Sequence, residues 1–225
     1  MPFDAAQTSY PTLHAQADRL VALGYPGLAG LDEAAFRALV APLERGLDRL
    51  MSHEHGASDR RPAPAGEVPF LLVVTRDLVR PELTVPLLRL AGSDRPGRVD
   101  HNHAEGDLAT YHPLEDLDVP SGPVYLLTGV QRGEEFCGVR PEEALPVIRS
   151  RGRTPLTIDE GIALVTQVPE ALERNRCFML SGSRREDRRV PALWISARAP
   201  RLGWCGDGNP HDWLGVASAA GRIGP

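Results

Sequence analysis

Apolar residues recur at helical spacing through the first fifty positions of the chain. The two stripes are formed by Leu13, Ala17, Leu20 and Val21, and then by Phe36, Leu39, Val40, Leu43, Leu47 and Leu50. Spacings of three and four place each set on one face of a helix. Gly24 ends the first stripe, Asp32 is placed to cap the second helix, and Pro42 should kink or split it. The pattern predicts an N-terminal helical hairpin within residues 1–51 that packs on the main domain.

The next segment, 52–67, reads SHEHGASDRRPAPAGE and has almost no side chain to bury, so we expect a mobile loop. Beyond it the pattern changes to short apolar runs, which are typical of buried strands. These runs are 68–75, 85–90, 123–130, 177–180 and 190–196. Pro86 weakens the second run. The last two runs flank the polar segment 181–189, which predicts a hairpin with a long loop.

Helix signals lie between and after these runs. Pro141 suits the first turn of a short helix, and Thr157 with Glu160 fits a capping box. The segment from Leu214 to Ala220 is interpreted as a last short helix. Irregular alternation of strands and helices predicts an α+β fold over residues 68–225, with a mixed or mainly antiparallel sheet and the helical hairpin on one face or edge.

The composition and charge of the chain limit the classes of partner that we expect it to bind. The 225 residues suffice for one large domain or two small ones, and all 25 basic residues are arginine. The net charge of −5 is uneven, since residues 151–225 carry +3 and residues 1–150 carry −8. An acidic chain with one mildly basic third argues against nucleic-acid binding and leaves room for a small anionic molecule near the C-terminal part. A homo-oligomer stays open.

The cysteines and the N-terminus bear on the compartment. Cys137, Cys177 and Cys205 are odd in number and widely spaced, which favours reduced thiols over a disulfide framework. The N-terminus lacks the pattern of a signal peptide, and no apolar run reaches the roughly 20 residues that a membrane helix needs. We expect a soluble cytoplasmic protein without a membrane partner.

The segment 203–213 concentrates unusual residues between two apolar stretches. It carries Trp204, Cys205, Asp207, Asn209, His211 and Trp213 among three glycines and a proline. Cys205 and His211 could form a thiolate–imidazole pair, with Asp207 or Asp212 orienting the imidazole and Asn209 or loop N–H groups binding an oxyanion. Trp204, Asn209 and Trp213 could line a pocket. Alternatively, the segment is structural, with Cys205 as a small buried hydrophobe and the tryptophans in the core. The chain contains no P-loop, GxGxxG, GxSxG or HExxH motif.

Two further clusters are candidates for ligand or metal binding. Arg184 and Arg185 begin an arginine-rich tip that could hold phosphate or carboxylate, or could be a solvated hairpin end, since Glu186 and Asp187 cancel half of the charge. His101 and His103 would share a face only in an extended segment. Their surroundings read as loop, and His53 and His55 lie in similar sequence. We therefore expect no bound metal and no cofactor.

Three C-terminal segments carry a resemblance to a known family. They read GRTPLTIDEGIALVTQ (152–167), RRVPALWIS (188–196) and LGWCGDGNPHDWLG (202–215), and the stretch 20–36 is similar too. The chain resembles an uncharacterised domain-of-unknown-function family of actinobacterial proteins. This resemblance implies a bacterial, cytoplasmic origin and brings no catalytic residues with it.

Two hypotheses for the function follow. The first is a small-molecule-binding or enzymatic protein whose pocket involves residues 203–213 and nearby arginines. The alternative is a non-catalytic interaction or structural protein that uses its helical hairpin or its tryptophan-rich surface.

Overall fold

The computed structural model describes residues 10–56 and 66–225. Its α-helices are α1 (Leu13–Ala22), α2 (Tyr25–Leu28), α3 (Glu33–Val40), α4 (Leu43–Gly56), α5 (Pro81–Thr84), α6 (Pro141–Ser150) and α7 (Ile158–Gln167). Short 3-10 turns occur at Val85–Leu87, Asp107–Thr110, Glu134–Phe136 and Pro169–Ala171. Within the described residues, no helix combines the length and the apolar character that crossing a bilayer requires.

The N-terminal helices form where the sequence predicts them. Thr12 caps α1 by accepting a hydrogen bond from the Ala15 N–H at 3.2 Å, and Asp32 caps α3 through the Ala35 N–H at 2.7 Å. Pro42 falls between α3 and α4 and so splits the second predicted helix. The first predicted helix is therefore α1, and the second is divided into α3 and α4. The short helix α2 lies between α1 and α3.

In the described ranges, twelve short strands make up the sheets. They are β1 (Val68–Val74), β2 (Arg98–Val99), β3 (His112–Pro113), β4 (Val124–Val130), β5 (Thr154–Pro155), β6 (Cys177–Met179), β7 (Ser183–Arg184), β8 (Arg189–Ser196), β9 (Ala199–Gly206), β10 (Leu214–Val216), β11 (Ser218–Ala219) and β12 (Gly221–Ile223).

Two sheets organise the molecule. The smaller one has the order β1-β4-β12 and is antiparallel throughout, with Val68 opposite Val130 and Arg222 opposite Leu127. The larger one has the order β10-β6-β8-β9-β2. In it β6, β8 and β9 are antiparallel neighbours, whereas β10 and β2 are parallel to theirs. The predicted α+β class with a mixed sheet is confirmed.

The helical region covers one face of the smaller sheet. Buried residues of α1, α3 and α4 form an apolar cluster with Phe70 and Leu72 of β1 and Val124 and Leu126 of β4. The other face of this sheet contributes to the main core, which is shared with α7 and the larger sheet. The apolar stripes of the N-terminal helices are therefore already occupied within the chain.

Helix α7 is the buried connection between the sheets, and its capping box forms as predicted. Thr157 accepts from the Glu160 N–H, and Glu160 accepts from the Thr157 N–H at 2.7 Å. The Glu160 carboxylate, fully buried, also accepts from the Tyr125 hydroxyl at 2.8 Å and from the Arg222 guanidinium at 2.5 and 3.0 Å. Charge pairing and four donors satisfy this carboxylate inside the core.

Three element predictions are wrong. Residues 85–90 do not form a strand, because α5 runs straight into a 3-10 turn at Val85–Leu87 and Pro86 fits that turn. Residues from Leu214 to Ala220 form β10 and β11 instead of a helix, because Leu214–Val216 pairs with Cys177–Met179. Residues 203–206 belong to β9 instead of a loop. Of the loop expected at 52–67, residues up to Gly56 continue α4 and 57–65 lie outside the described residues.

Candidate functional site

The region expected to be one loop is half strand and half turn. Trp204 and Cys205 lie on β9, opposite Pro191 and Val190 of β8. Only residues 207–213 leave the sheet, before the chain enters β10 at Leu214. Neighbouring side chains on a strand point to opposite faces. Trp204 and Cys205 therefore do not share one wall of a pocket.

The structure does not join Cys205, His211 and Asp207 into a catalytic group. The Asp207 carboxylate accepts from the Arg184 guanidinium at 3.1 Å. The His211 ring packs against the Trp213 ring with centroids 5.5 Å apart. Burial raises the pKa of the Cys205 thiol to about 11, so the thiolate is scarce at neutral pH. No hydrogen bond connects these three side chains in the described part of the chain.

Trp204 and Asn209 have structural partners. The Trp204 indole N–H donates to the Asn102 carbonyl at 2.6 Å, and the Arg189 guanidinium lies 4.2 Å from the centre of its ring. Asn209 closes a tight turn, where its N–H donates to the Gly206 carbonyl at 3.0 Å and its side-chain amide lies against Gly206. Both residues hold the end of the β8–β9 hairpin in place.

The arginines of the tip are paired with carboxylates. Arg184 binds Asp207, Arg185 binds Asp107 and Asp187 at 3.1 Å each, and Arg189 binds Asp107 at 3.5 Å. The Arg184 side chain is only 15% exposed. An arginine that already shares a carboxylate has less charge to offer an anionic ligand. Arg184 and Arg185 are thus less suited to ligand binding than their sequence suggests.

His101 and His103 face different environments. The His101 side chain is 96% exposed, whereas the His103 side chain is fully buried at 0%. Residues 101–103 form a turn and not an extended segment, so His101 and His103 are not placed on one face by the alternation of side chains along a strand. Among residues 10–56 and 66–225, no group of three or more His, Cys, Asp or Glu side chains is placed to hold a metal ion. The side chains of His53 and His55 lie outside the described ones.

Burial lowers the pKa of His103, opposed by the nearby Gly203 carbonyl and by Asp107, whose carboxylate lies 3.9 Å from Nδ1. Neither ring nitrogen makes a hydrogen bond of normal geometry. The imidazole edge contacts the Tyr111 ring, with centroids 5.7 Å apart. His103 is therefore a buried, uncharged core residue at neutral pH.

The tryptophans build a groove on the other side of the hairpin. The Trp194 and Trp213 rings meet edge to face, with centroids 6.5 Å apart. Trp194 lies on the backbone of Gly203, where a Cβ would come within 2.0 Å of the ring. Both indoles line a groove of about 730 Å³, together with Cys177 and Ile195 and with the segment 90–93. Ligand sites for small molecules span roughly 300–1,000 Å³.

Unusual backbone conformations converge on this groove. Among the described residues, the non-glycine residues with positive φ are Asn175 (63°), Ala197 (51°) and Arg198 (59°), and all three line it. Ala197 and Arg198 form the two-residue turn between β8 and β9, where both central residues need positive φ. Such turns favour Asn-Gly, so Ala-Arg stores strain at the rim.

Neighbouring side chains hold this strained turn. The Ser93 hydroxyl donates to the Arg198 carbonyl at 3.1 Å, and the Arg95 guanidinium donates to the Ala197 carbonyl at 3.0 Å. Arg174 and Arg198 are exposed residues that line the groove, and they form no ion pair in the described part of the chain. They differ in this respect from the arginines at the opposite end of the hairpin.

Sequence reasoning identified Trp213 but missed Trp194, Arg174 and Arg198 as groove residues. One signal was available, because Ser196-Ala197-Arg198-Ala199 separates two apolar runs by only two residues. That spacing is typical of a tight hairpin turn. The residue types make this turn hard to recognise, because neither alanine nor arginine is a usual turn residue.

Comparison with known proteins gives a family and no activity. No curated protein and no solved structure shows detectable similarity to this chain. Residues 19–225, from within α1 to the end of the chain, match a family model and include the residues of the groove. The chain therefore belongs to the family described as Family of unknown function (DUF5701).

Proposed function

We propose that this protein binds a small molecule with an apolar ring and an anionic group in the groove between Trp194 and Trp213. The convergence of three left-handed, non-glycine residues on one groove carries the proposal. Such a conformation costs a non-glycine residue roughly 1–2 kcal/mol. A turn of Asn-Gly would avoid most of that cost, so the presence of Ala-Arg in this turn points to a use for the Arg198 side chain.

The groove offers two kinds of contact. Trp194 and Trp213 supply aromatic surface for an apolar ring. Arg174 and Arg198 supply positive charge from two separate segments, and neither has a competing carboxylate in the described residues. Apolar walls with few convergent polar groups are the usual composition of a small-molecule site.

The chemistry of the groove favours binding over catalysis. Cys177 is the cysteine that lines the groove, and burial raises its pKa to about 11. Its Sγ–H donates to the Glu173 carbonyl at 3.4 Å, which holds the thiol form. An activated cysteine needs a basic or cationic partner instead. Asp207 is engaged by Arg184, and the catalytic hypothesis for Cys205, His211 and Asp207 has no geometric support.

The alternative, an interaction protein, is less well supported. The apolar faces of the N-terminal helices pack on the smaller sheet. In the described residues, the large hydrophobic side chains that remain exposed are Leu28, Leu83 and Val147, and they are only 37–39% exposed. Docking surfaces normally present a contiguous apolar patch of several hundred Å². These three residues come from three different helices.

The proposal can be tested by tryptophan fluorescence with the full chain. Titration with a panel of aromatic monoanions and phosphorylated aromatic compounds should give saturable quenching for at least one member. Arg198→Asn should weaken that binding about tenfold, since asparagine tolerates the left-handed turn but removes the guanidinium. Ala197→Asn and Arg49→Ala are the matched controls and should bind like the wild type. Absence of saturable binding, or equal affinity in Arg198→Asn, contradicts the proposal.

The wider setting belongs to the same proposal. We infer a bacterial, actinobacterial origin and a cytoplasmic location, supported by 25 arginines without a lysine and by widely spaced cysteines. Residues 1–51 are proposed as an N-terminal unit packed on an α+β domain of residues 68–225, joined through 52–67. Self-association into a homo-oligomer is to be tested by sedimentation of the purified chain.

A further inference from the structure

We infer that the anionic group of the ligand is a phosphate ester, carried on a planar heteroaromatic ring as in a nucleoside monophosphate. This inference rests on the proposed function and adds the class of ligand. Two observations support it. In the described structure, arginines without ion pairs lie around the groove, and the indoles of Trp194 and Trp213 form its aromatic wall.

Two positively charged residues, Arg174 and Arg198, line the groove. Arg174 precedes β6, and Arg198 sits in the β8–β9 turn, so two guanidinium groups reach the groove from two separate segments. A carboxylate has one charge and two oxygens, which a single guanidinium can satisfy. A phosphate monoester carries a charge of about −1.5 to −2 and three acceptor oxygens. Two guanidinium groups therefore match a phosphate better than a carboxylate.

The two ends of the β8–β9 hairpin differ in how their arginines are paired. At one end, carboxylates pair with Arg184, Arg185, Arg188 and Arg189. At the other end, the described structure gives no ion pair to Arg95, Arg98, Arg198 or Arg201. The basic end is the end that adjoins the groove.

Other features of this basic end are consistent with the binding of an anion. Arg98 and Arg201 are register partners on β2 and β9, so two arginines occupy neighbouring positions of the sheet. The Nε of Arg201 is buried without a hydrogen-bond partner. Asp94 is the acidic residue of the segment 90–98, and it is exposed and makes no ion pair with these arginines. Adjacent unneutralised guanidinium groups produce a positive potential that favours an ion of more than one negative charge.

The Trp194 ring is one wall of the groove. Its Cη2 and Cζ3 atoms lie against Gly203, and the Trp213 ring meets it at an interplanar angle of 80°. Trp194 is half-buried and lines the groove, so part of its ring can contact a ligand there. Flat heteroaromatic rings such as nucleobases stack on aromatic side chains without needing sequence-specific contacts. A volume of about 730 Å³ accommodates a ring, a sugar and a phosphate.

Calorimetric titration of the full chain tests the inference. The probes are nucleoside monophosphates with purine, pyrimidine and nicotinamide rings, the matching nucleosides, inorganic phosphate, and indole-3-acetate as an aromatic carboxylate. At least one monophosphate should bind about tenfold or more tightly than its nucleoside and than indole-3-acetate. Arg174→Gln and Arg198→Asn should each weaken the monophosphate about tenfold and leave the nucleoside unchanged. Arg49→Ala serves as the control.

The outcomes separate this inference from the proposed function. If indole-3-acetate binds as tightly as every monophosphate, the phosphate assignment fails and the groove remains a small-molecule site. If no probe binds, both fail. If a decameric oligothymidylate binds much more tightly than any monophosphate, the ligand is a nucleic acid, and the inference of a small nucleotide is overturned.

Discussion

The side-chain amide of Gln16 on α1 takes the place of a neighbouring strand for Leu72 on β1. Leu72 donates its N–H to Gln16 Oε1 at 2.7 Å, and Gln16 Nε2 donates to the carbonyl of Phe70 at 3.3 Å. Strand β1 is an edge of the smaller sheet, and Gln16 is fully buried. One glutamine thus satisfies backbone groups that would otherwise be available to another chain.

Replacing Gln16 with leucine should lower the free energy of unfolding by about 1–3 kcal/mol, because it leaves the Leu72 N–H and the Phe70 carbonyl buried without partners. Thermal unfolding detects this, since about 1 kcal/mol shifts the midpoint by roughly 2–4 °C in a chain of this size. His14→Ala on the exposed side of α1 is the control. An unchanged midpoint in Gln16→Leu would show that water replaces the amide.

Gly203→Ala should displace the Trp194 ring, since the new Cβ would lie 2.0 Å from Cη2 and 2.7 Å from Cζ3. Overpacking of this kind costs typically 1–3 kcal/mol. We expect a lower unfolding midpoint, a shifted tryptophan emission and weaker ligand binding. Gly221→Ala is a matched control in β12, because its Cβ meets Thr128 Oγ1 at an ordinary 3.7 Å. Wild-type emission in Gly203→Ala would contradict the described packing.

Changing Ala197-Arg198 to Asn-Gly should stabilise the protein by about 1 kcal/mol, because both positions have positive φ, 51° and 59°. The same double variant should lose ligand affinity through the loss of Arg198. Urea unfolding and fluorescence titration measure the two effects independently. A variant that is both less stable and equally good at binding would refute the account of a strained, functional turn.

His103 predicts a pH dependence of stability. Burial lowers its pKa in the folded state below the ordinary 6.5, so the unfolded chain binds a proton that the folded chain refuses. Its contribution to the free energy of unfolding is therefore constant well above pH 6.5 and falls as the pH drops below 6.5 towards the lowered folded pKa. In that window the slope reaches at most about 1.4 kcal/mol per pH unit.

Urea unfolding of the wild type and His103→Phe between pH 7.5 and 5 checks this prediction. The groups that face the imidazole are Asp107, Asp100 and Arg189, and all three remain in the variant. The wild type should lose stability more steeply than His103→Phe as the pH falls. Parallel curves would assign the pH dependence to other groups.

The three cysteines should be unpaired thiols that react slowly while the protein is folded. All three are free in the structure, and burial raises the pKa of Cys177 and Cys205 to about 11. Alkylation without reductant should label all three in urea, with little labelling of Cys177 and Cys205 in native protein. A crosslinked peptide containing two cysteines would overturn both this prediction and the cytoplasmic location.

Local signals predicted much of the fold. The caps at Asp32 and Thr157 and the apolar run of β1 depend on residues close in sequence, and each forms as predicted. Residues from Leu214 to Ala220 were misjudged because their conformation depends on parallel pairing with Cys177–Met179, some 37 positions earlier. A contact of that range leaves no periodic trace in the segment itself.

The site was harder to predict for a related reason. Gly203 was interpreted as a loop residue, whereas β9 needs glycine there because the Trp194 ring covers its backbone. The arginines of the tip could not be separated by sequence into paired and unpaired ones. Asp107 and Glu142, which neutralise three of them, come from distant segments.

The buried contact between Glu160 and Arg222 also sets an order of events during translation. Arg222 emerges from the ribosome 62 residues after Glu160. At synthesis rates of about 5–20 residues per second, that delay is roughly 3–12 seconds. During this interval the nascent chain cannot bury the Glu160 carboxylate as an ion pair. Glu160 therefore reaches its native, charge-paired state only after β12 has been translated.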